Sequence, residues 1–308
     1  MTGVTRNNVG RVEVVVRALA FRAPLCPDNL FGHLVATAVP GVEEWRDGAY
    51  RATLRLAGGP AVVALTPGAG AIGARLLLTD PRDEPEAVAR CRWLLDLDAD
   101  PATVDGVLAA DGVLAPLVAA APGRRVPRVP DPAAFAVRAV HGQQVSTAAA
   151  RTHAARLVRA LGEPVADPEG GLTHLFPEAG AVAALDPDDA GVLAMPQARR
   201  RTVVRVAAAL ADGLRLGPDA DPVAAVAGLV GLPGVGPWTV GTIAMRALGD
   251  PDAFLATDLG VRAAAVLLGL PERPRELVRR AEPWRPWRAY AVQHLWATLP
   301  HPVNRMPA

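Results

Sequence analysis

Short apolar runs and alternation of apolar with polar positions mark the first hundred residues. Four runs have this character: 11–16, 50–56, 61–65 and 75–79. Such runs, bounded by Gly and Pro, are typical of strands, so we predict an antiparallel sheet. Residues 28–39 instead repeat apolar side chains at helical spacing, which predicts a helix. The sequence therefore predicts an α+β module, an antiparallel sheet with helices, over residues 1–103.

Helix signals replace strand signals after residue 103. Asp131-Pro132 and Asp221-Pro222 each place a capping aspartate before a proline that suits the first helical position. Glycines that follow leucine at positions 162, 249 and 269 are typical of helix ends. Residues 121–130, rich in Pro and Arg, indicate a connector. We therefore predict that residues 104–308 form an all-α region.

The composition excludes several classes of protein. The chain is 51% hydrophobic and 20% charged, with a formal net charge of +1, as expected for a folded globular protein. It has no apolar run near the ~20 residues that span a bilayer, and the N-terminus does not resemble a secretion signal. We therefore expect a cytoplasmic protein with no membrane partner. Nucleic-acid binding would need arginines gathered on one face. The candidates are Arg124, Arg125, Arg128 and residues 199–201.

The basic residues are unusual because all 32 are arginine and the sequence contains no lysine. This excludes a lysine side chain as nucleophile or Schiff-base former. Cys26 and Cys91 cannot build a zinc or iron–sulfur site by themselves, and the six histidines show no metal-ligand spacing. We therefore predict no bound metal and no organic cofactor.

The most informative segment is 232–239, Leu-Pro-Gly-Val-Gly-Pro-Trp-Thr, between two helical patterns. Two glycines one residue apart permit a tight turn and let another molecule approach the backbone closely. A helix that begins at Pro237 would point free amides outward, which suits phosphate binding without side chains. The residues of this hairpin expected to contact a DNA backbone are Leu232, Gly234, Val235, Gly236 and Thr239. A helix–helix turn without a ligand is the alternative.

Four further stretches occur with this hairpin in one protein family. They are 137–146 (VRAVHGQQVS), 254–262 (FLATDLGVR), 284–291 (WRPWRAYA) and 293–296 (QHLW). Together these motifs resemble the helix-hairpin-helix DNA glycosylases, and within them the bacterial 3-methyladenine DNA glycosylase II (AlkA-type) branch. The resemblance covers most of residues 90–300. It implies two helical subdomains flanking an active-site cleft, a monomer acting on double-stranded DNA that contains a damaged base, and a monovalent cation at the hairpin.

Asp258 matches the catalytic aspartate of this family and lies 22 residues after Gly236. Without that match it would be a plain helix N-cap, and both roles are compatible because a helix N-terminus stabilises a charged carboxylate. Cleavage of an N-glycosidic bond passes through an oxocarbenium-like sugar, as in glycoside hydrolysis. A carboxylate ~4 Å from that cation contributes about 4 kcal/mol at an effective dielectric of ~20, or roughly a thousandfold in rate.

The resemblance also implies a pocket for a base flipped out of the duplex. Trp238 and Trp296 match the pocket tryptophans, whose faces attract a cationic base; core packing is the alternative role. The family has tyrosines where this chain has Thr242 and Ala297, and a phenylalanine near the position of His33. The pocket is therefore predicted to be less aromatic than in the family.

Two further departures from the family concern the DNA and the reaction. Gln144 matches the wedge that fills the gap left by the flipped base, where the family has leucine. Trp238 stands where bifunctional relatives carry the lysine that attacks the sugar, so we predict a monofunctional glycosylase that uses water and leaves an abasic site. The favoured function is base excision repair of alkylated purines. The alternatives are a non-catalytic DNA-binding protein and a glycosylase for other damaged bases.

Overall fold

The computed structural model describes residues 12–143 and 145–308. The strands are β1 (Glu13–Ala20), β2 (Glu43–Arg46), β3 (Ala49–Leu56), β4 (Gly59–Thr66) and β5 (Ala71–Leu78). The helices are α1 (Asp28–Thr37), α2 (Glu84–Leu94), α3 (Pro101–Leu108), α4 (Ala115–Ala120), α5 (Pro132–His141), α6 (Thr147–Leu161), α7 (Ala179–Ala183), α8 (Gln197–Ala211), α9 (Pro222–Val230), α10 (Pro237–Ile243), α11 (Leu259–Leu267), α12 (Pro274–Arg280) and α13 (Arg288–Ala297). A π-helical turn (Ala244–Leu248) continues α10, and short 3₁₀ turns lie at Pro81–Asp83, Glu282–Trp284 and Pro302–Asn304.

The strands form one antiparallel sheet in the order β1-β5-β4-β3-β2, which confirms the predicted α+β module. The described part of the predicted strand 11–16 belongs to β1, whereas Arg11 lies outside the described residues. Strand β2 was not predicted, because its sequence Glu-Glu-Trp-Arg lacks apolar alternation. It forms because a tight turn at Asp47 and Gly48, both at positive φ, folds it back onto β3.

Beyond residue 103 the described residues are helices, turns and irregular segments, apart from bridges such as Cys26–Arg124 and Pro164–His174, which confirms the helical prediction. Aspartates cap the helices as expected: Asp131 accepts from the Ala134 N–H at 3.0 Å, and Asp221 from the Val223 N–H at 2.9 Å. The described helices do not include one that is long and apolar enough to cross a membrane.

Three large hydrophobic cores hold most of these elements together, beside a small cluster of Val62, Leu77 and Leu172 on the sheet. One lies between the sheet and helices α1 and α2. A second lies among α5, α6, α7 and α8. The third is shared by α3, α4, the π-helical turn, α11, α12 and α13. A cleft opens where the three cores meet, because its walls come from α1, from α5 and α6, and from α10, α11 and α13.

The predicted connector 121–130 is a buried structural segment, and the expected phosphate contacts of its arginines are wrong. Arg124, Arg125 and Arg128 are 7%, 1% and 4% exposed. Arg125 donates to the carbonyls of Ala99 and Arg22, each at 2.6 Å. Arg125 and Arg128 therefore donate to backbone carbonyls in the interior, and the three buried guanidinium groups do not form a basic face.

His141, the last residue of α5, is fully buried, and neither ring nitrogen has a hydrogen-bond partner among the described residues. Burial, with smaller effects from His153 and Arg138, lowers its pKa to about 3. Burial likewise lowers the pKa of His294 to about 3. Both side chains therefore stay neutral in the folded protein while the unfolded chain protonates them below an ordinary pKa of ~6.5.

We expect His141→Leu to stabilise the protein and to flatten its response to acid. Because the pKa is lowered in the folded state, protons bind preferentially to the unfolded chain. The free energy of unfolding is therefore highest above pH ~6.5, and below that pH each such histidine reduces it by about 1.4 kcal/mol per pH unit. The variant should gain about 1–3 kcal/mol at pH 7 by removing an unsatisfied buried group, and lose about 2 kcal/mol less than the parent between pH 6.5 and 5. Urea unfolding at both pH values measures this. His174→Leu, at a half-buried position, is the control, and an unchanged acid response in His141→Leu would contradict the prediction.

Candidate functional site

Asp258 stands at the N-terminus of α11, in the first position before the helix. Its Oδ1 atom accepts the Val261 N–H at 2.9 Å, the contact of a helix N-cap. The preceding Leu255 and Ala256 are buried and anchor the loop that enters the helix. The side chain of Asp258 is only half-buried and lines the cleft. The two roles considered for Asp258 from the sequence are therefore compatible. Its carboxylate caps helix α11 and also faces the cleft, where it can act on a ligand.

Two tryptophans fix this carboxylate from opposite elements. The Nε1 of Trp238, in the first turn of α10, donates to Oδ2 at 2.8 Å, and the Nε1 of Trp296, near the end of α13, donates to Oδ1 at 2.8 Å. Gly260 makes the second contact possible, because a Cβ there would lie 3.0 Å from the Trp296 Nε1. The carboxylate is held by three donors from three helices and has no freedom to turn away from the cleft.

The cleft has a volume of about 380 Å³. The structure brings together on its walls five of the residues predicted from the sequence: His33, Trp238, Thr242, Asp258 and Trp296. Ala297 does not line it. The predicted pocket residues from the sheet module and from the helical region therefore meet in one cavity, with the two indoles beside the carboxylate.

Sequence reasoning missed a buried ion pair on another wall of the cleft. Arg138 of α5 donates to Glu43 Oε1 at 3.1 Å. The same carboxylate accepts the Tyr50 hydroxyl at 2.9 Å and the Val39 N–H at 2.8 Å. Three donors engage Glu43, and one of them, Arg138, is a cation that balances its charge. Asp258 receives only neutral donors, so its charge on the cleft wall is left to meet that of a ligand. No sequence signal singled out Glu43, because its partners lie in three other elements.

The hairpin between α9 and α10 is the predicted tight turn, but only its first glycine needs its conformational freedom. Gly234 has a φ of +93°, and a Cβ there would lie 2.0 Å from the Thr202 Oγ1. Gly236 has a φ of −90°, and a Cβ there would meet no atom within 4 Å. The side chains of Leu232 and Val235 pack onto the second core. Gly234 therefore serves the turn itself, whereas Gly236 presents bare backbone to the outside.

Gln143 ties this hairpin to the loop that follows α5, a role that the sequence analysis did not identify. Its Nε2 donates to the Gly234 carbonyl at 3.1 Å and to the Thr239 Oγ1 at 2.9 Å. Thr239 is buried, so its hydroxyl is committed to this internal contact and only its backbone N–H faces the start of the helix. The predicted wedge Gln144 lies outside the described residues.

The backbone of the hairpin offers amides that could bind a phosphate and carbonyls that could bind a cation. Amides in the first turn of a helix lack intrahelical partners, so those at the start of α10 can meet a phosphate. The carbonyls of Leu232 and Gly234 each accept one hydrogen bond, from the Val235 N–H and from Gln143, and each keeps a lone pair for a cation. Within the described residues, His, Cys, Asp and Glu side chains do not gather in threes that could hold a metal ion.

Comparison with known proteins finds relatives described as AlkA proteins or as DNA glycosylases. A family model described as the AlkA N-terminal domain matches residues 16–131. The chain is 56% identical over 290 residues to a Mycobacterium tuberculosis protein described as a probable bifunctional transcriptional activator/DNA repair enzyme AlkA. That match covers 94% of this chain and 58% of the relative, so the chain spans little more than half the length of that protein.

Two further proteins match along most of both chains. DNA-3-methyladenine glycosylase 2 of Escherichia coli K12 is 33% identical over 273 residues, which cover 87% of this chain and 92% of that protein. Among solved structures, a 3-methyladenine DNA glycosylase from Archaeoglobus fulgidus superposes with a TM-score of 0.78 at 19% identity, covering 91% of this chain and 97% of the other. The structural match concerns the fold of the sheet module and helical region together.

Proposed function

This chain belongs to the AlkA family of helix-hairpin-helix DNA glycosylases, and we propose on that premise that it excises alkylated purines from double-stranded DNA. The observation that carries the proposal is the Asp258 carboxylate, held by the indoles of Trp238 and Trp296 at the wall of the cleft. The product would be an abasic site, the first intermediate of base excision repair. One chain supplies every group used here, so the proposed active form is a monomer.

Catalysis in this proposal is electrostatic. A flipped base would stack against the tryptophan faces, which attract a cationic purine by about 0.5–2 kcal/mol. Bond cleavage then leaves positive charge on the sugar, and the fixed Asp258 carboxylate stabilises it without any reorganisation. A purine methylated at N3 or N7 already carries positive charge and leaves without protonation. This fits a cleft in which Glu43 is fully hydrogen-bonded and in no position to act as a general acid.

We propose that water, and not a protein amine, attacks the sugar, so that the enzyme has no lyase activity. The support is chemical: the sequence contains no lysine, and Trp238 occupies the position at which bifunctional relatives carry the nucleophile. The indole of Trp238 cannot form a Schiff base, and it is already engaged with Asp258.

The hairpin would grip the DNA backbone next to the damaged nucleotide. Gly236 presents bare backbone and the start of α10 offers free amides, a contact to phosphate that carries no sequence information. A monovalent cation on the Leu232 and Gly234 carbonyls would add positive charge at the same place. We propose no other cofactor.

The first prediction from the proposed function concerns the carboxylate itself. Asp258→Asn should lower single-turnover excision from methylated duplex DNA by about a thousandfold or more, because the amide cannot offset the charge on the sugar. Duplex affinity should stay within about twofold of the parent. Product analysis before and after alkali tests the lyase proposal in the same experiment, since strand breaks should appear only after alkali treatment.

Each alternative has its own outcome in that experiment. A parent protein that binds DNA and releases no base from any lesion would identify a non-catalytic DNA-binding protein. Release of other damaged bases without release of 3-methyladenine or 7-methylguanine would identify a glycosylase of different specificity. Equal excision by Asp258→Asn and the parent would refute the mechanism.

The second prediction separates the two roles of Trp238. Trp238→Phe keeps an aromatic face but removes the hydrogen bond to Asp258 Oδ2, and a hydrogen bond to a charged group contributes about 1.5–3 kcal/mol. We expect single-turnover excision to fall about 10-fold or more while duplex affinity changes by less than about twofold. The matched control is Trp287→Phe, which lies away from the carboxylate. An unaltered rate in Trp238→Phe would limit the residue to stacking.

The third prediction concerns the hairpin. Gly236→Val should weaken binding to every duplex sequence alike, by about 10-fold, because the added side chain occupies the space a phosphate would approach. The cost to the unfolding free energy should be no more than about 1 kcal/mol, the effect of a poor residue at a helix N-cap.

Gly234→Ala provides the matched contrast to that variant. Gly234 has a positive φ, and the Thr202 hydroxyl leaves no room for a Cβ there. Gly234→Ala should therefore destabilise the fold more than Gly236→Val does. Affinities from fluorescence anisotropy on several duplexes, read beside urea unfolding, distinguish the two. A loss confined to particular sequences in Gly236→Val would contradict the proposed phosphate contact.

A further inference from the structure

A buried arginine with no acidic partner lies behind the base pocket. Arg246, in the π-helical turn that follows α10, is 2% exposed and makes no ion pair among the described residues. It donates to the Pro127 carbonyl at 2.9 Å, and its guanidinium lies 5.9 Å from the ring centroid of Trp296. Burying a charge without a counter-charge costs free energy of folding, so the buried guanidinium of Arg246 is expected to have a function.

The remaining contact of Arg246 fixes the state of a pocket side chain. Its other amino group lies 3.2 Å from Nδ1 of His33, on α1. A guanidinium can only donate, so Nδ1 must be the unprotonated, accepting nitrogen, and the proton of the neutral imidazole sits on Nε2. Nε2 has no hydrogen-bond partner within residues 12–143 and 145–308, and His33 lines the cleft. The cleft therefore contains an N–H donor, Nε2 of His33, because the contact with Arg246 fixes the tautomer of that imidazole.

A second unpartnered polar group lines the same cleft. Thr242 is 8% exposed, and its Oγ1 makes no hydrogen bond to any described residue. It precedes Arg246 by one helical turn, so Thr242 and the side chain that holds His33 come from one face of α10 and its π-helical extension. A buried hydroxyl without a partner is rare in a folded protein and is expected where a ligand supplies the missing bond.

We propose that His33 and Thr242 form a hydrogen-bonding edge of the base pocket, with Arg246 as the positioning residue that holds His33 as a donor. This rests on the proposed glycosylase function and names a substrate class for it. The edge favours damaged purines that carry an oxygen acceptor at C6 over purines that have no oxygen there. It does so for uncharged bases too, which gain nothing from charge attraction to the tryptophan faces.

The arrangement of charges supports reading by hydrogen bond in this part of the pocket. A chain of contacts runs from Asp258 through the indole of Trp296 and the guanidinium of Arg246 to His33. The negative charge therefore lies at one end of the chain and the positive charge behind the other. The Asp258 end meets the sugar, and the His33 end offers a donor to the base.

The test uses two duplexes with uncharged bases: hypoxanthine, which has an oxygen at C6 and a proton on N1, and unsubstituted purine, which has neither. We expect the parent to excise hypoxanthine faster in single turnover. His33→Phe should lower that rate about 10-fold, while the rate for unsubstituted purine changes less than about twofold. Thr242→Val, which removes the hydroxyl at constant shape, should lower the hypoxanthine rate in the same direction.

Release of 3-methyladenine from methylated DNA separates this inference from the proposed function. His33→Phe should lower the ratio of the hypoxanthine rate to the 3-methyladenine rate about 10-fold, because 3-methyladenine has no C6 oxygen for the donor to meet. A parent that releases no methylated base would refute the proposed function. A parent that releases 3-methyladenine while both uncharged probes respond alike to His33→Phe would refute the hydrogen-bonding edge alone.

The positioning role of Arg246 has its own readout in the pH profile. Burial, Arg246, Arg138 and His301 lower the pKa of His33, and Glu43 and Asp258 are the acidic groups on the same cleft. Arg246→Met removes one of these causes, so the pKa of His33 should rise. The acid limb of the pH profile for hypoxanthine excision should therefore lie at a higher pH in that variant than in the parent, and the double variant with His33→Phe should lose this shift. A variant that is uniformly slower at every pH would assign Arg246 a structural role only.

Discussion

The site depends on holding one carboxylate still. Asp258 receives the Val261 amide from its own helix and one indole N–H from each of Trp238 and Trp296. Hydrogen bonds to a charged group contribute about 1.5–3 kcal/mol each, more than the entropy lost by fixing a short side chain. The charge is therefore oriented before any DNA binds. That is the condition under which a fixed anion stabilises a cation formed during the reaction, because no group has to move at that moment.

The three donors are brought together by the meeting of three hydrophobic cores. Helix α13 belongs to the third core and carries Trp296, while α10 begins at the hairpin beside the second core and carries Trp238. Helix α1 of the sheet module closes the cleft with His33. The N-terminal module is therefore part of the pocket and not only an appendage to the helical region. The pairing of one carboxylate with two indoles also explains why the tryptophans are only half-buried, since each is both a donor to Asp258 and an open wall.

Much of this arrangement was predictable because it rests on local signals. Aspartate–proline pairs gave correct helix starts at Asp131 and Asp221, and short apolar runs or alternation gave four of the described strands. The predictions failed where the outcome depends on distant partners. Arg125 looked like a surface cation, but its guanidinium meets carbonyls from two remote segments. Likewise no local pattern predicts that Gln143 braces the hairpin, or that Arg246 would be buried behind His33.

Under the proposed function, the charges around the pocket also set how strongly a cationic base would be preferred over an uncharged one. Arg246 lies 5.9 Å from the Trp296 centroid, so a base stacked on the other face of that ring would be about 9 Å from the guanidinium. At an effective dielectric of ~20 the repulsion is about 2 kcal/mol, against about 4 kcal/mol of attraction to a carboxylate ~4 Å away. The carboxylate prevails, so a cationic purine is still favoured, but by roughly half of what Asp258 alone would give. An uncharged base is not repelled by Arg246. The buried arginine therefore reduces the electrostatic preference for cationic over uncharged bases, and hydrogen bonds at the pocket wall contribute more to the choice of base.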